Sequence, residues 1–173
     1  MTRPAASARA DAARWTLRRM RAEDGAAAWN IVRESGSLDP NSAYCYMLLG
    51  EYFGSACALA EENGKPIGFV TGFRPPERPD TWFVWQIGVA AEARGRGLGR
   101  ELLEHVLSRP EHQDIRYVEA TISPSNAASL ALFRAFARDR RAEMRRLPGF
   151  RQEWFPNASH EEEPLYRIGP LLP

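Results

Sequence analysis

The chain has 173 residues, enough for one domain with a sizeable core, and its 44% hydrophobic and 26% charged residues are those of an ordinary folded globule. A net charge of +1 excludes a non-specific nucleic-acid binder, which needs a basic excess, and leaves room only for a local patch in the arginine-rich stretch from Arg134 to Arg146. No apolar run approaches the ~18 residues that cross a bilayer, and residues 1–14 lack the apolar stretch of a secretory signal; we expect a cytoplasmic protein with a disordered tail at 1–14 and one domain at 15–173.

In chain order, Trp15 to Met20 alternates as a first strand. Asp24 precedes an apolar helix through Trp29, Ile31 and Val32 that should end near Gly36. A polar turn from Ser37 to Pro40 leads to a second helix, capped by Asn41 or Ser42, through Tyr44, Tyr46, Leu48, Leu49 and Tyr52. Strands follow at Cys57 to Glu61 and at Ile67 to Thr71, joined by Asn63-Gly64, a dipeptide suited to the positive φ of a tight hairpin. Pro75 to Pro79 must be a loop. Trp82 to Val89 reads as a central strand buried on both faces. A glycine-rich loop then opens a helix with Leu98, Leu102, Leu103, Val106 and Leu107 on one side, ended by Pro110. Tyr117 to Ile122 is a strand, and Ser125 or Asn126 caps a helix carrying Leu130, Phe133 and Phe136. Two weaker strands are expected around Phe150 to Phe155 and Leu165 to Ile168. The order predicts a mixed α/β (α+β) domain: one central twisted mixed sheet of six or seven strands flanked by about four helices. Cys45 and Cys57 form neither a disulfide framework nor a metal pair of familiar spacing, so reduced thiols and no metal site are expected.

The glycine loop, Arg94-Gly95-Arg96-Gly97-Leu98-Gly99, admits three nucleotide readings. A P-loop needs Gly-x-x-x-x-Gly-Lys-Ser/Thr, which is missing from the chain. A dinucleotide fingerprint begins with Gly95 and Gly97, and Glu119 falls about twenty residues on, but Arg100 stands where the third glycine would allow close helix packing. The third is Arg-x-x-Gly-x-Gly/Ala, met by Arg94, Gly97 and Gly99, which resembles the pyrophosphate loop of the GNAT N-acetyltransferases. Glycines let the backbone approach a pyrophosphate, the helix start favours the anion, and Arg94, Arg96 and Arg100 add positive charge. A second element, Asn126 to Phe133, resembles the GNAT Asn-x-x-Ala/Ser-x-x-Leu-Tyr helix, in which the asparagine and the small residue, here Ser129, face the coenzyme; N-capping by Asn126 is compatible with that. The resemblance covers roughly residues 15 to 140 and implies the GNAT acyltransferase fold with acetyl-CoA as co-substrate. On it, the coenzyme site comprises Ile87, Gly88, Val89, the loop from Arg94 to Arg100, Asn126, Ser129 and Phe133. Phe133 departs from the family, which often has tyrosine there as the acid that protonates the leaving thiolate. A water, Ser129 or a tyrosine from elsewhere would have to serve, or the thiolate leaves unaided.

Further stretches resemble one GNAT subfamily, the L-2,4-diaminobutyrate acetyltransferases of ectoine biosynthesis: Ser37 to Tyr44, Phe83 to Val89, Glu119 to Asn126 and His160 to Ile168. This implies a small diamine as acceptor, acetylated at its γ-nitrogen, and a homodimer. Asp39, Tyr44, Trp85, Gln86, Glu119 and His160 are then the candidate substrate contacts. Three of these have a second reading: Asp39 as the start of a turn, Trp85 as core filling, and His160 as part of a solvated charged loop; alternation puts Trp85 and Gln86 on opposite faces, so one of the two should face the acyl site. Glu119 interrupts an apolar strand, so it is either solvated in a cleft or paired with a cation, and it is the first candidate base, with Tyr44 the second candidate for proton traffic. Direct attack by the amine is expected, with a backbone N–H near Ile87 to Val89 steadying the oxyanion; a cysteine acyl-enzyme is the alternative chemistry. Two other functions stay open: a GNAT enzyme for another small amine, and a non-catalytic coenzyme-A-binding module.

Overall fold

The computed structural model describes residues 14–38, 40–157 and 159–172; the expectations for residues 1–13 and for Asp39 lie outside the described residues. Seven strands form one sheet: β1 (Thr16–Arg19), β2 (Ala58–Glu62), β3 (Lys65–Phe73), β4 (Thr81–Val89), β5 (Tyr117–Thr121), β6 (Met144–Phe150) and β7 (Glu163–Ile168), in the order β1-β2-β3-β4-β5-β7-β6. Every neighbouring pair is antiparallel except β4 and β5, which run parallel. Four helices cover the faces: α1 (Gly25–Ser35), α2 (Ala43–Phe53), α3 (Leu98–Leu107) and α4 (Ala127–Asp139).

The core has two halves, one on each side of the sheet. Leu98, Leu102, Leu103 and Val106 of α3 and Phe133 and Phe136 of α4 pack with Val70, Trp82, Val84, Val118 and Ala120. On the other side Ala28, Ile31 and Val32 of α1 and Tyr46 of α2 pack with Leu59 and Phe69. Each helix therefore buries one stripe against the sheet, as its apolar spacing demands.

Local signals account for most boundaries. Asn63 (φ 52°) and Gly64 (φ 75°) make the two-residue turn between β2 and β3, both in the left-handed region that such a hairpin requires. Gly36 ends α1 at φ 65°, and the Ser42 hydroxyl accepts the Cys45 N–H to start α2. Asp24 does not cap α1 through its side chain. It accepts the Arg21 N–H at 2.8 Å and grips Arg18 through both carboxylate oxygens, at 2.7 and 2.8 Å. Burial alone would raise its pKa, but the Arg18 and Arg21 hydrogen bonds win and hold the carboxyl below its usual range.

Two expectations are corrected. The late strand expected at Phe150 to Phe155 is β6, Met144–Phe150, and Gln152–Trp154 is a short 3-10 turn. β6 is the outer edge strand, largely solvent-exposed, so Arg145 and Arg146 break the apolar alternation without cost. β4 is central, but it is not buried on both faces: Phe83, Trp85, Gln86, Ile87 and Val89 are half-buried. They border a cleft.

His112 is buried behind α3, and its Nδ1–H donates to the Val106 carbonyl at 2.8 Å. Burial foremost lowers its pKa below 6.5. The unfolded chain thus takes up a proton that the folded chain resists, so stability is full above about pH 6.5 and falls as pH drops through it. We expect the melting temperature to fall between about pH 7.5 and about pH 5.5, with a shallower fall in His112→Asn. Identical slopes in the two proteins would remove His112 as the cause.

Candidate active site

The site begins where β4 and β5 part. Their pairing runs Thr81↔Tyr117, Trp82↔Val118, Phe83↔Glu119 and then stops. From Val84 onward one edge of β4 faces open space instead of a neighbouring strand. Ala90 donates its N–H to the Ile67 carbonyl on the β3 side. Alternation along the strand turns the N–H groups of Ile87 and Val89 the other way, into the cleft.

A bulge in β4 sits at the same place. Thr71 pairs with Gln86 and Gly72 with Val84, so Trp85 has no residue opposite it. The extra residue breaks the two-residue alternation. Trp82, Val84, Ile87 and Val89 belong to the α3/α4 side, whereas Trp85 packs on the α1/α2 side, where the Tyr46 hydroxyl meets Gln86 Oε1 at 2.5 Å. The expectation that only one of Trp85 and Gln86 faces the site is therefore corrected: the bulge turns both toward the same cavity.

That cavity measures about 720 Å³. At one end lie Ile87 of β4 and Asn126, Ser129 and Phe133 of α4. Trp85 and Gln86 form the middle, with Leu38 and Asn41 of the α1–α2 turn, and the far side carries Phe73, Phe83, Arg78, His160 and Glu163. Tyr46 braces the middle: its ring lies 5.9 Å from Trp85 and edge-on to Phe69. Burial foremost raises its pKa, so the hydroxyl keeps its proton and donates to Gln86. His160 stacks on Phe155 with ring centres 3.8 Å apart, and its Nδ1–H donates to the Glu161 carbonyl at 2.7 Å.

Outside the cavity, the glycine loop takes the shape that an anion site needs. Gly95 has φ 70° and Gly97 φ 86°, the latter as the N-cap of α3. A Cβ at either glycine would meet nothing within 4 Å, so backbone conformation and not crowding calls for glycine. Gly99, by contrast, lies where α3 meets α4, and its Cβ would come within 3.3 Å of Leu132. Leu98 points into the core, so it offers the loop only its backbone N–H. Asn126 caps α4 by accepting the Ser129 N–H at 3.0 Å while it also lines the cavity. The open loop surface and the N–H groups of the helix start fit a coenzyme A pyrophosphate.

The arginines of this loop are unequal. Arg96 is held by both oxygens of Glu62 and lies over Trp15, and Arg100 pairs with Asp139 at 2.8 Å. Arg94 is exposed, donates only to the Val89 carbonyl, and has no carboxylate partner among the described residues.

Two candidates lose the roles expected of them. Tyr44 is 65% exposed on the outer side of α2 and is not among the cavity's lining residues; Tyr46, half a turn on, is the tyrosine that meets the site. Glu119 is fully buried and is not among the cavity's lining residues, with Arg78 at 2.8 Å and Arg167 at 2.6 Å on the same oxygen. A carboxylate engaged by two guanidiniums and not among the cavity's lining residues has no direct route to a substrate amine there. Neither cysteine lines the cavity. Cys57 is buried between the Leu49 and Gly72 carbonyls, and burial pushes its thiol up to about 11, so neither an exposed nor an activated thiolate supports an acyl-enzyme.

The acetyltransferase (GNAT) family profile matches residues 19–137. The chain belongs to the GNAT acetyltransferase family. It is 49% identical over 156 residues to the L-2,4-diaminobutyric acid acetyltransferase of Shouchella clausii, covering 90% of this chain and 87% of the relative. It is 44% identical over 163 residues to the enzyme of that name from Bordetella parapertussis, covering 94% and 88%. Among solved structures, it superimposes with a TM-score of 0.87 and 41% identity on the diaminobutyrate acetyltransferase EctA of Paenibacillus lautus in complex with L-2,4-diaminobutyric acid and coenzyme A, covering 92% and 96%. The Escherichia coli ribosomal-protein-S18-alanine N-acetyltransferase, at 20% identity and TM-score 0.67, shares the fold alone. Acetyl-CoA is accordingly the acyl donor of this chain's family, and the seven-stranded sheet is the GNAT sheet.

Arg78, Tyr46, Asn41 and Glu163 were not singled out from the sequence. Glu163 stood in plain view, two residues before an expected strand, but only the fold shows that it turns toward the cavity while Glu161 binds Ser125 and Glu162 binds Arg146. The loop arginines give a graded expectation: Arg94→Ala raises KM for acetyl-CoA about tenfold, the value of one charge-assisted contact, and Arg100→Ala raises it less. Initial-rate measurements at saturating amine decide it, and equal effects of the two substitutions would contradict the ranking.

Proposed function

We propose that this enzyme transfers the acetyl group of acetyl-CoA to the γ-amino group of L-2,4-diaminobutyrate, the acetylation step of ectoine biosynthesis. The observation that carries the proposal is the single cavity through the β4–β5 parting. Its donor end presents Ile87, Asn126, Ser129 and Phe133, and its acceptor side presents Arg78, His160 and Glu163 around the Trp85 and Gln86 wall. An acceptor with two ammonium groups and one carboxylate matches a wall of mixed charge, and a plain polyamine has nothing to offer Arg78.

Acetyl-CoA supplies the activated thioester; the chain supplies position, hydrogen bonds and a route for the proton. The inward N–H groups of Ile87 and Val89 are donors aimed at the developing oxyanion. The acceptor amine reaches the site protonated and must lose that proton before attack. Among the described residues Glu163 is the carboxylate that lines the cavity, and His160 lines it too; the proton leaves toward these two. Phe133 cannot protonate the leaving sulfur, and among the described residues no tyrosine lines the cavity, since Tyr46 reaches it only through Gln86. A thiol with a pKa near ~8.5 departs as thiolate without an acid, with the Ser129 hydroxyl one turn from Phe133.

Mass spectrometry of the product of acetyl-CoA and L-2,4-diaminobutyrate tests the reaction. We expect one acetyl group, placed by fragmentation on the γ-nitrogen. Glu163→Gln should lower kcat/KM by at least about 10²-fold in initial-rate measurements. Acetylation of polyamines in preference to diaminobutyrate, or coenzyme A binding without turnover on any amine, would replace the proposal with one of its rivals.

On the same reading two copies pair through the outer edge of the sheet. β6 exposes Leu147 and Phe150, Trp154 follows, and an open edge strand with exposed apolar side chains is a pairing surface unless covered. Light scattering should return the mass of a dimer, and Trp154→Glu should shift it toward a monomer; a monomeric wild type overturns this.

A further inference from the structure

We infer that Arg78 is the residue that recognises the acceptor's carboxylate, and that Glu119 is a positioning residue that aims it. This rests on the proposed diaminobutyrate reaction and deepens it.

The inference starts from charge. Glu119 is fully buried at the last paired step of β4 and β5, and Arg78 and Arg167 both donate to its Oε1. Arg167 alone, at 2.6 Å and packed flat on the Tyr117 ring, already neutralises that carboxylate. The cluster of one carboxylate and two guanidiniums therefore keeps one positive charge in excess. Its excess cation is the one that borders the cavity: Arg78 lines it and Glu119 and Arg167 do not. A half-exposed guanidinium on the wall of an otherwise aromatic pocket, beside Phe73 and Phe83, is stabilised when an anion arrives there.

Geometry adds to charge. Among the described residues Arg78 donates to Glu119 through Nη1 alone, which leaves the other N–H groups of the planar fork for a ligand in the cavity that Arg78 lines. Among the lining residues Arg78 is the one permanent cation, so a carboxylate bound in this cavity has one strong partner. The residue is also held still. Its loop makes two successive turns, Arg78 N–H to Pro75 O and Thr81 N–H to Arg78 O, both at 3.0 Å. Arg74 ties the Pro79 carbonyl to the loop after α3 through Glu111 O and Asp114. A pinned loop and a buried carboxylate together preorganise the guanidinium, so little ordering is required on binding. Arg78 and Glu163 then sit on the acceptor side as opposite charges, a cation for the carboxylate and a carboxylate for an ammonium, which fixes which end of the diamine reaches the thioester.

The test compares L-2,4-diaminobutyrate with 1,3-diaminopropane, the same diamine without the carboxylate. The second amine is read as a substrate or, where it is not turned over, as a competitive inhibitor. Wild type should favour diaminobutyrate. Arg78→Met should raise KM for diaminobutyrate at least about tenfold, the worth of a charge-assisted contact, while the constants for 1,3-diaminopropane and acetyl-CoA stay within about twofold. Arg78→Lys, which keeps the charge but loses the fork, should fall between. Glu119→Gln should raise KM for diaminobutyrate with little change in kcat and none in its pH profile. Equal losses on both amines, or no loss on either, would overturn the assignment of Arg78, and a collapsed kcat in Glu119→Gln would restore Glu119 as a base. A wild type inactive on diaminobutyrate would instead overturn the substrate reading itself, and this inference with it.

Discussion

The structure depends on one interruption in its sheet. β4 and β5 pair for three residues and then separate, and nearly every functional feature follows from that separation. It frees one edge of β4, aims the Ile87 and Val89 N–H groups into a cleft, and makes room for the Asn126 end of α4. The bulge at Trp85 is the second half of the same device, because it brings Trp85 and Gln86 together on the acceptor side. A regular ladder would have closed the site and sent Trp85 and Gln86 to opposite faces.

An opened sheet needs its edges held, and arginine–carboxylate pairs do much of that. Glu119, with Arg78 and Arg167, sits at the apex where the strands part. Arg18 ties β1 to Asp24 and Glu61, and Arg96 ties the coenzyme loop to Glu62 on β2. These pairs sort the arginines of the chain into those already neutralised and those with charge to spare. Arg94, with no carboxylate partner among the described residues, and Arg78, which shares its carboxylate with Arg167, belong to the second group.

The fold, the turns and the helix starts were legible in the sequence; the contacts that shape the cavity were not. Glycine at positive φ, helix caps and apolar periodicity are local signals, so Gly36, Asn63-Gly64, Gly97 and Asn126 could be read one by one. The strand break after Phe83 and the bulge at Trp85 are set by tertiary pairing and leave no local trace, which is why β4 read as buried on both faces. Glu119 in an apolar strand called for either a solvated cleft or a cation, and its cations are Arg78 and Arg167, from a loop 41 residues before it and a strand 48 residues after it. Arg78 was invisible for the same reason. It stands in a loop of prolines, and only its pairing ties it to Glu119 on the sheet. β6 was misplaced because an exposed edge strand has no apolar stripe to betray it.

The most direct measurement of the account is a structure determined with coenzyme A and L-2,4-diaminobutyrate both bound. The account predicts the pyrophosphate over the N–H groups of Gly95 to Gly99, the sulfur in the cleft beside Ile87 and Asn126, and the amine in the cavity past Trp85 and Gln86 with its carboxylate on Arg78. An amine bound on the α3 side of the sheet, or a coenzyme that leaves the β4–β5 parting empty, would contradict it.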